Sequence, residues 1–162
     1  MIRRLRQLAA NERGAAVIEL ALVAPILATL VIGVTDVSIA YGHKLELEQA
    51  AQRAIEKVGQ TTGDKTPEAT IQNEAVCQIN GANSDGTCKA GRIDTDDVAV
   101  NYTLECNGTA QDFDTDCTAG QSEVRYIEAT VSEVYEPTFA VPFAGQEDGK
   151  WHLSATAGVR TQ

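Results

Sequence analysis

The chain has 162 residues, a length that fits one membrane segment and one small domain. Its formal net charge is −10 at pH 7. The charge is uneven: residues 1–14 carry four arginines and one glutamate, and the rest of the chain is acidic. An acidic surface repels phosphate backbones, so the composition excludes nucleic acid as a partner of most of the chain.

A basic leader over residues 1–14 precedes a long apolar segment, and Gly14 lies where the two meet. The junction reads RGAAVIE, so that Glu19 is the fifth residue after the glycine. A carboxylate inside a bilayer is energetically costly, so its presence needs a specific reason. An interfacial glutamate stabilised by a helix dipole is the alternative interpretation of Glu19, and it stays open here.

The apolar segment over residues 20–40 contains one charge, Asp36, near its end. At 1.5 Å per residue, these residues span a hydrocarbon core of about 30 Å. The preceding arginines keep the N-terminus in the cytoplasm. We therefore expect a transmembrane helix over residues 15–42, single-pass in the cytoplasmic membrane, with the following domain outside. A cleaved secretory signal is the alternative interpretation of this segment. It is disfavoured because such a signal would have a shorter apolar run and a small-x-small cleavage site.

Two residues inside this segment have specific predicted roles. Pro25 lacks a backbone N–H, and its ring clashes with the preceding turn, so we expect a helix kink there. Asp36 is interpreted as a boundary residue at the outer interface, where water reaches it.

The run over residues 13–42 resembles the N-terminal motif of TadE-like proteins, which are minor pilins or pseudopilins of tight adherence (type IVc, Flp-type) pilus systems. The motif joins the glycine junction and Glu19 to a Leu-Val-x-Pro element. The resemblance implies cleavage by a prepilin peptidase between Gly14 and Ala15. Glu19 would then pair with the new amino terminus of a neighbouring helix and fix its register during assembly.

The resemblance also implies a function in pilus assembly or initiation and a set of partners. These partners are other major and minor pilins, the prepilin peptidase, the inner-membrane assembly platform and membrane lipid. After assembly, the protein would be part of an extracellular pilus.

Beyond the membrane, residues 43–162 are expected to form one α+β domain. An apolar stripe over residues 44–58 predicts an amphipathic helix continuous with the membrane helix, about 40 residues long in total. Thr66 is the predicted N-cap of a second helix that ends near Ile79. Alternating segments at 98–104, 122–135 and 151–159 predict an antiparallel sheet of three or four strands packed on the helical spine, as in type IV pilins.

The four cysteines all follow the membrane segment, and their even number indicates disulfides in an oxidising compartment. Zinc is disfavoured because no closely spaced cysteine pair exists. Four cysteines allow three pairings, and the sequence favours the local one, with loops closed by Cys77–Cys88 and Cys106–Cys117.

An acidic segment offers the only candidate metal site in the sequence. Asp112, Asp114, Asp116 and Glu123 occupy positions 1, 3, 5 and 12 of a calcium loop, but Cys117 replaces the usual glycine. A solvated loop without a cofactor is the default expectation. No catalytic motif is recognisable, so we expect no enzyme. The alternative function is a membrane-tethered extracytoplasmic binding module that uses this acidic loop.

Overall fold

The computed structural model describes residues 13–61, 66–139 and 145–161. Within these residues, the helices are α1 (Arg13–Gln60) and α2 (Glu68–Asn80), followed by a short 3-10 helix (Thr95–Asp97). The strands are β1 (Val98–Cys106), β2 (Thr109–Gln111), β3 (Glu123–Tyr135) and β4 (Trp151–Arg160). Most of the basic leader, residues 1–12, lies outside the described residues.

α1 is one continuous helix of 48 residues, which corresponds to a length of about 72 Å. The predicted fusion of membrane and amphipathic parts is therefore confirmed, in a helix longer than the expected 40 residues. The helix passes through Pro25 without interruption, and the kink stays a prediction. The predicted apolar stripe on its C-terminal half is buried, with Leu47 and Ala54 fully inaccessible.

α2 begins at Glu68, so the predicted N-cap at Thr66 is wrong. Pro67 occupies the cap position with ψ of 136°, an extended value, and helical geometry starts only at the next residue. The Thr66 side chain is buried instead, and its carbonyl accepts a hydrogen bond from Tyr102 Oη at 2.7 Å. At the other end, Gly81 stops the helix with a φ of 83° and donates its N–H to Cys77 O.

The four strands form an antiparallel sheet in the order β2-β1-β3-β4. β2 was not predicted from the sequence. It is paired to β1 through the two-residue turn Asn107-Gly108, in which both residues have positive φ, as tight hairpins require. One sheet face packs on α1 and α2, and Ile127, Ala129 and Val131 of β3 are fully buried there. The α+β fold with a helical spine is confirmed.

Candidate functional site

The N-terminal part of α1 projects away from the rest of the described chain. From Ala16 to Val31, every residue is exposed, and the large apolar side chains of this stretch are 46–69% accessible. Soluble monomers rarely expose an apolar surface of this extent, because its contact with water is unfavourable. By length and composition, the helix could cross a membrane. The segment is a candidate membrane span.

The hydroxyl groups in this part of α1 are satisfied inside the helix. Thr29 donates to the carbonyl of Pro25 at 2.9 Å, Thr35 donates to the carbonyl four residues before it at 2.8 Å, and Ser38 does the same at 2.7 Å. Hydrocarbon offers no hydrogen-bonding groups, so a hydroxyl there must find its partner within the protein. The bonding pattern therefore suits a lipid environment.

The predicted processing junction lies in the first turn of α1. The backbone of Gly14 and Ala15 is helical, and a Cβ at Gly14 would meet no neighbour within 4 Å, so no packing contact explains the glycine. Glu19 is exposed one turn further along, and no partner for its carboxylate lies among the described residues. Cleavage and the assembly function of Glu19 both stay predictions.

Asp36 is fully buried, which corrects the prediction that water reaches it. Its Oδ1 accepts the backbone N–H of Thr138 at 3.1 Å, and its Oδ2 accepts that of Phe139 at 3.2 Å. These donors lie in the connection between β3 and β4, which therefore reaches back along α1. Gly33 and Ala40, on the same side of the helix, are also buried. Contact between α1 and the domain thus begins inside the apolar segment.

The two disulfides follow the local pairing that the sequence favours. Cys77 is joined to Cys88, and Cys106 is joined to Cys117. The first bond ties the end of α2 to the following loop. The second ties the end of β1 to the acidic loop, so each closes a loop of the domain that follows the apolar segment.

The acidic loop is organised around Arg125 of β3, a residue that sequence reasoning missed. Its guanidinium contacts Glu123 Oε1 at 2.6 Å and Asp116 Oδ1 at 3.2 Å, and it also donates to the carbonyls of Phe113 and Thr115. Arg125 is only 8% exposed, and its charge lies 5.1 Å from the Phe113 ring centroid. An internal cation thus already neutralises two of the four predicted calcium ligands.

The remaining carboxylates of the proposed calcium loop do not complete a metal site. Asp112 accepts the backbone N–H of Asp114 at 3.2 Å, which is a local turn contact. Within residues 13–61, 66–139 and 145–161, no group of three or more His, Cys, Asp or Glu side chains is arranged to hold a metal ion. Calcium binding therefore has no support from the geometry and stays untested.

A second buried charge lies at the opposite end of β3. Glu133 is 7% exposed and contacts His43 of α1 at 3.1 Å and Arg92 Nε at 3.7 Å. Arg92 also pairs with Glu46, and its Nη1 lies 2.9 Å from Nδ1 of His43, the nitrogen that contacts Glu133. This cluster connects α1, just after its apolar segment, to the sheet and to the loop that follows α2.

One signal in the sequence could have revealed both buried charges. Side chains along a strand alternate between faces, so Arg125 and Glu133 are in phase with the buried Ile127, Ala129 and Val131. Charged residues in phase with a core are rarely fully buried without a partner. Apart from Glu123, which lies two residues from Arg125 on the same strand, their partners come from other segments, and strand periodicity carries no information about those.

Comparison with known proteins gives one match. Residues 14–55 match the family model of TadE-like proteins, which confirms the resemblance inferred from the glycine junction and Glu19. The matched range covers the exposed apolar part of α1 and most of its buried stripe. No curated protein and no solved structure matches the chain. The match indicates a pilus-related protein of structural character.

Proposed function

We propose that this chain, TadE-like over residues 14–55, is a minor pilin or pseudopilin that takes part in assembly or initiation of a tight adherence pilus. The observation that carries the proposal is the exposed apolar segment of α1 directly after the glycine junction. One helix serves both as membrane anchor and as spine of the domain. That continuity allows the subunit to move from membrane to filament without refolding.

The processing step is hydrolysis of the peptide bond between Gly14 and Ala15. Water adds across the bond, so that Gly14 gains a carboxylate and Ala15 gains a free amino group. This amino group is protonated near neutral pH and lies about one helical turn from Glu19. Pairing it with Glu19 of a neighbouring helix offsets the desolvation of both charges and sets the axial register.

Helix packing has a suitable surface on α1. A groove of about 670 Å³ runs along one face, and its lining includes Ile26, Leu30, Gly33 and Val37. Ile26, Leu30 and Val37 follow the spacing of a single helical stripe, and their exposed side chains offer an apolar packing surface. The partners of this surface would be other major and minor pilins in the membrane and then in the filament.

The first experiment determines the N-terminus of membrane-extracted protein by intact and peptide mass spectrometry, in cells with an active prepilin peptidase. The proposal expects an N-terminus at Ala15. A retained Met1 would contradict processing and favour the tethered binding module.

The second experiment replaces Glu19 by Leu and by Gln and counts pili by electron microscopy. Loss of piliation, with the membrane level of the protein unchanged, supports the assembly function of Glu19. Glu48→Leu is the matched control, because Glu48 is exposed on the same helix beyond the apolar segment. Normal piliation in both Glu19 variants would argue against the proposal.

The tethered binding module predicts a different result. If the acidic loop bound calcium, millimolar calcium would raise the unfolding midpoint of the wild-type protein by mass action. Because Arg125 already pairs with Glu123 and Asp116, we expect calcium to leave the unfolding midpoint unchanged.

A further inference from the structure

The bond between Asp36 and the β3–β4 connection has a consequence for how the domain sits on the membrane. If the hydrocarbon core begins at Leu20, a rise of 1.5 Å per residue places Asp36 about 24 Å along a core of about 30 Å. Asp36 is therefore inside the expected outer limit of the bilayer. Its two backbone donors, at Thr138 and Phe139, must lie at the same depth.

Three aromatic side chains surround this level of α1. Phe139 is 40% exposed, and its backbone is held by Asp36. Tyr41 is 63% exposed and lies about 7.5 Å further along the helix. Tyr41 and Trp151, the half-buried first residue of β4, line the same groove between α1 and the sheet. Aromatic residues with amphipathic rings are enriched where a protein crosses the membrane–water interface.

We propose that Tyr41, Phe139 and Trp151 form an interfacial collar at the outer boundary between the hydrocarbon core and the headgroups of the bilayer. Asp36 fixes the collar by holding the β3–β4 connection against α1. The occupant of this surface is lipid, because the collar is continuous with the exposed apolar face of the candidate membrane span. The domain is then seated on the membrane in one orientation before assembly, and is not loosely tethered above it. This inference rests on the proposed membrane anchoring of α1.

Contacts near the collar hold the sheet against α1. Lys44 of α1 donates to the carbonyl of Ser154 on β4, and the His43 ring packs on Tyr135 with centroids 4.7 Å apart. Both contacts lie within about two helical turns of Asp36. The helix, the last part of β3 and the first part of β4 therefore move as one body at the membrane surface.

The chain offers a direct test because Trp151 is its single tryptophan. Full-length protein is reconstituted in phosphatidylcholine vesicles whose acyl chains carry bromine at a shallow or a deep position. Bromine quenches tryptophan fluorescence on close approach. The proposal expects Trp151 to be quenched, and more strongly by shallow bromine than by deep bromine. If neither brominated lipid quenches Trp151, the proposal is overturned.

Two further reporters, each in a Trp151→Phe background, separate this inference from the anchoring on which it rests. Leu30→Trp lies within the exposed apolar segment and should be quenched most by deep bromine. Gln111→Trp lies on β2, and Gln111 pairs with Leu104, which in turn pairs with Arg125. Arg125 is about 33 Å along β3 from Tyr135, so the tryptophan at position 111 should not be quenched. If Leu30→Trp is unquenched, membrane anchoring fails. If Leu30→Trp is quenched and Trp151 is not, only the collar fails.

The function of Asp36 is tested with Phe139→Trp as reporter, again in the Trp151→Phe background. Asp36→Leu removes both acceptors and should change the ratio of shallow to deep quenching and lower the fluorescence anisotropy. Asp36→Asn keeps one carbonyl oxygen as an acceptor, so its effect should be smaller, and it serves if the leucine variant fails to fold. An unchanged ratio and anisotropy in both variants would show that Asp36 does not fix the collar.

Discussion

Nδ1 of His43 lies 3.1 Å from Oε1 of Glu133, although the two residues are 90 positions apart in the chain. His43 is on α1 just beyond the apolar segment, and Glu133 is near the end of β3. The contact therefore fixes the sheet at the point where α1 leaves the candidate membrane span. Arg92, whose Nε lies 3.7 Å from the same carboxylate oxygen, adds a positively charged partner.

Replacing Glu133 by Ala should destabilise the domain by about 2 kcal/mol, because the substitution leaves Arg92 without its buried carboxylate partner. The measurement is denaturant unfolding of the full chain in detergent micelles. Glu48→Ala is the control, since the pair of Glu48 with Lys44 is exposed and should contribute less than about 0.5 kcal/mol. Equal effects of the two substitutions would contradict a structural function of the buried cluster.

Replacing Arg125 by Met should cost about 3 kcal/mol, because two backbone carbonyls and the Glu123 carboxylate lose a charged donor. Arg125→Lys should recover part of this loss, since an ammonium cannot reproduce the planar set of contacts. Limited proteolysis provides a second measurement, with new cleavage expected between residues 112 and 118. If the methionine variant is as stable and as resistant as the wild type, Arg125 does not hold the loop.

The sequence predicted the elements that depend on local pattern. The 3.6-residue stripe containing Leu47 and Ala54 and the two-residue alternation of Ile127 with Val131 each reflect burial of one face, and both were found buried. β2 escaped detection because it is only three residues long and fully exposed, so that no alternation of burial marks it.

The residues that position the domain on α1 were not predictable in the same way. Asp36 looked like a boundary residue because its partners are backbone N–H groups, which any sequence supplies. Those partners lie 102 and 103 positions away. Arg125 and Glu133 were detectable as charges in phase with a core, but most of their partners come from three other segments: the acidic loop, α1 and the loop after α2. Tertiary contacts over such separations leave no periodic trace in one sequence.

The two disulfides close loops of equal sequence separation, 11 residues each. The chain-entropy estimate therefore predicts an equal stabilisation of about 3 kcal/mol from each bond. Replacing either cysteine pair by Ser should lower the free energy of unfolding by a similar amount, measured in micelles without reductant.

Native packing could make the two losses differ. Cys106 is buried among core residues, so its replacement also places a hydroxyl in an apolar environment. Replacing the pair by Ala avoids that polar group and leaves the entropic effect. Stabilities that still differ strongly between the two alanine pairs would show that loop entropy is not the main contribution.

Tyr102 makes the stability of the domain sensitive to alkaline pH. Burial, together with the negative charge of Glu68, raises the pKa of its phenol above the ordinary value of 10.0. The unfolded chain therefore loses this proton first as the pH rises through 10. Stability falls from there up to the folded-state pKa and is unaffected by Tyr102 at neutral pH.

The variant Tyr102→Phe should remove this contribution to the alkaline loss. At pH 7, it should cost about 1 kcal/mol, because the hydrogen bond to the Thr66 carbonyl is lost. Between pH 9 and 11, a shallower decline of the unfolding free energy than in the wild type is expected. Tyr126→Phe, on the exposed face of β3, is the matched control. Parallel declines in the wild type and Tyr102→Phe would show that the phenol of Tyr102 is not the source of the alkaline sensitivity.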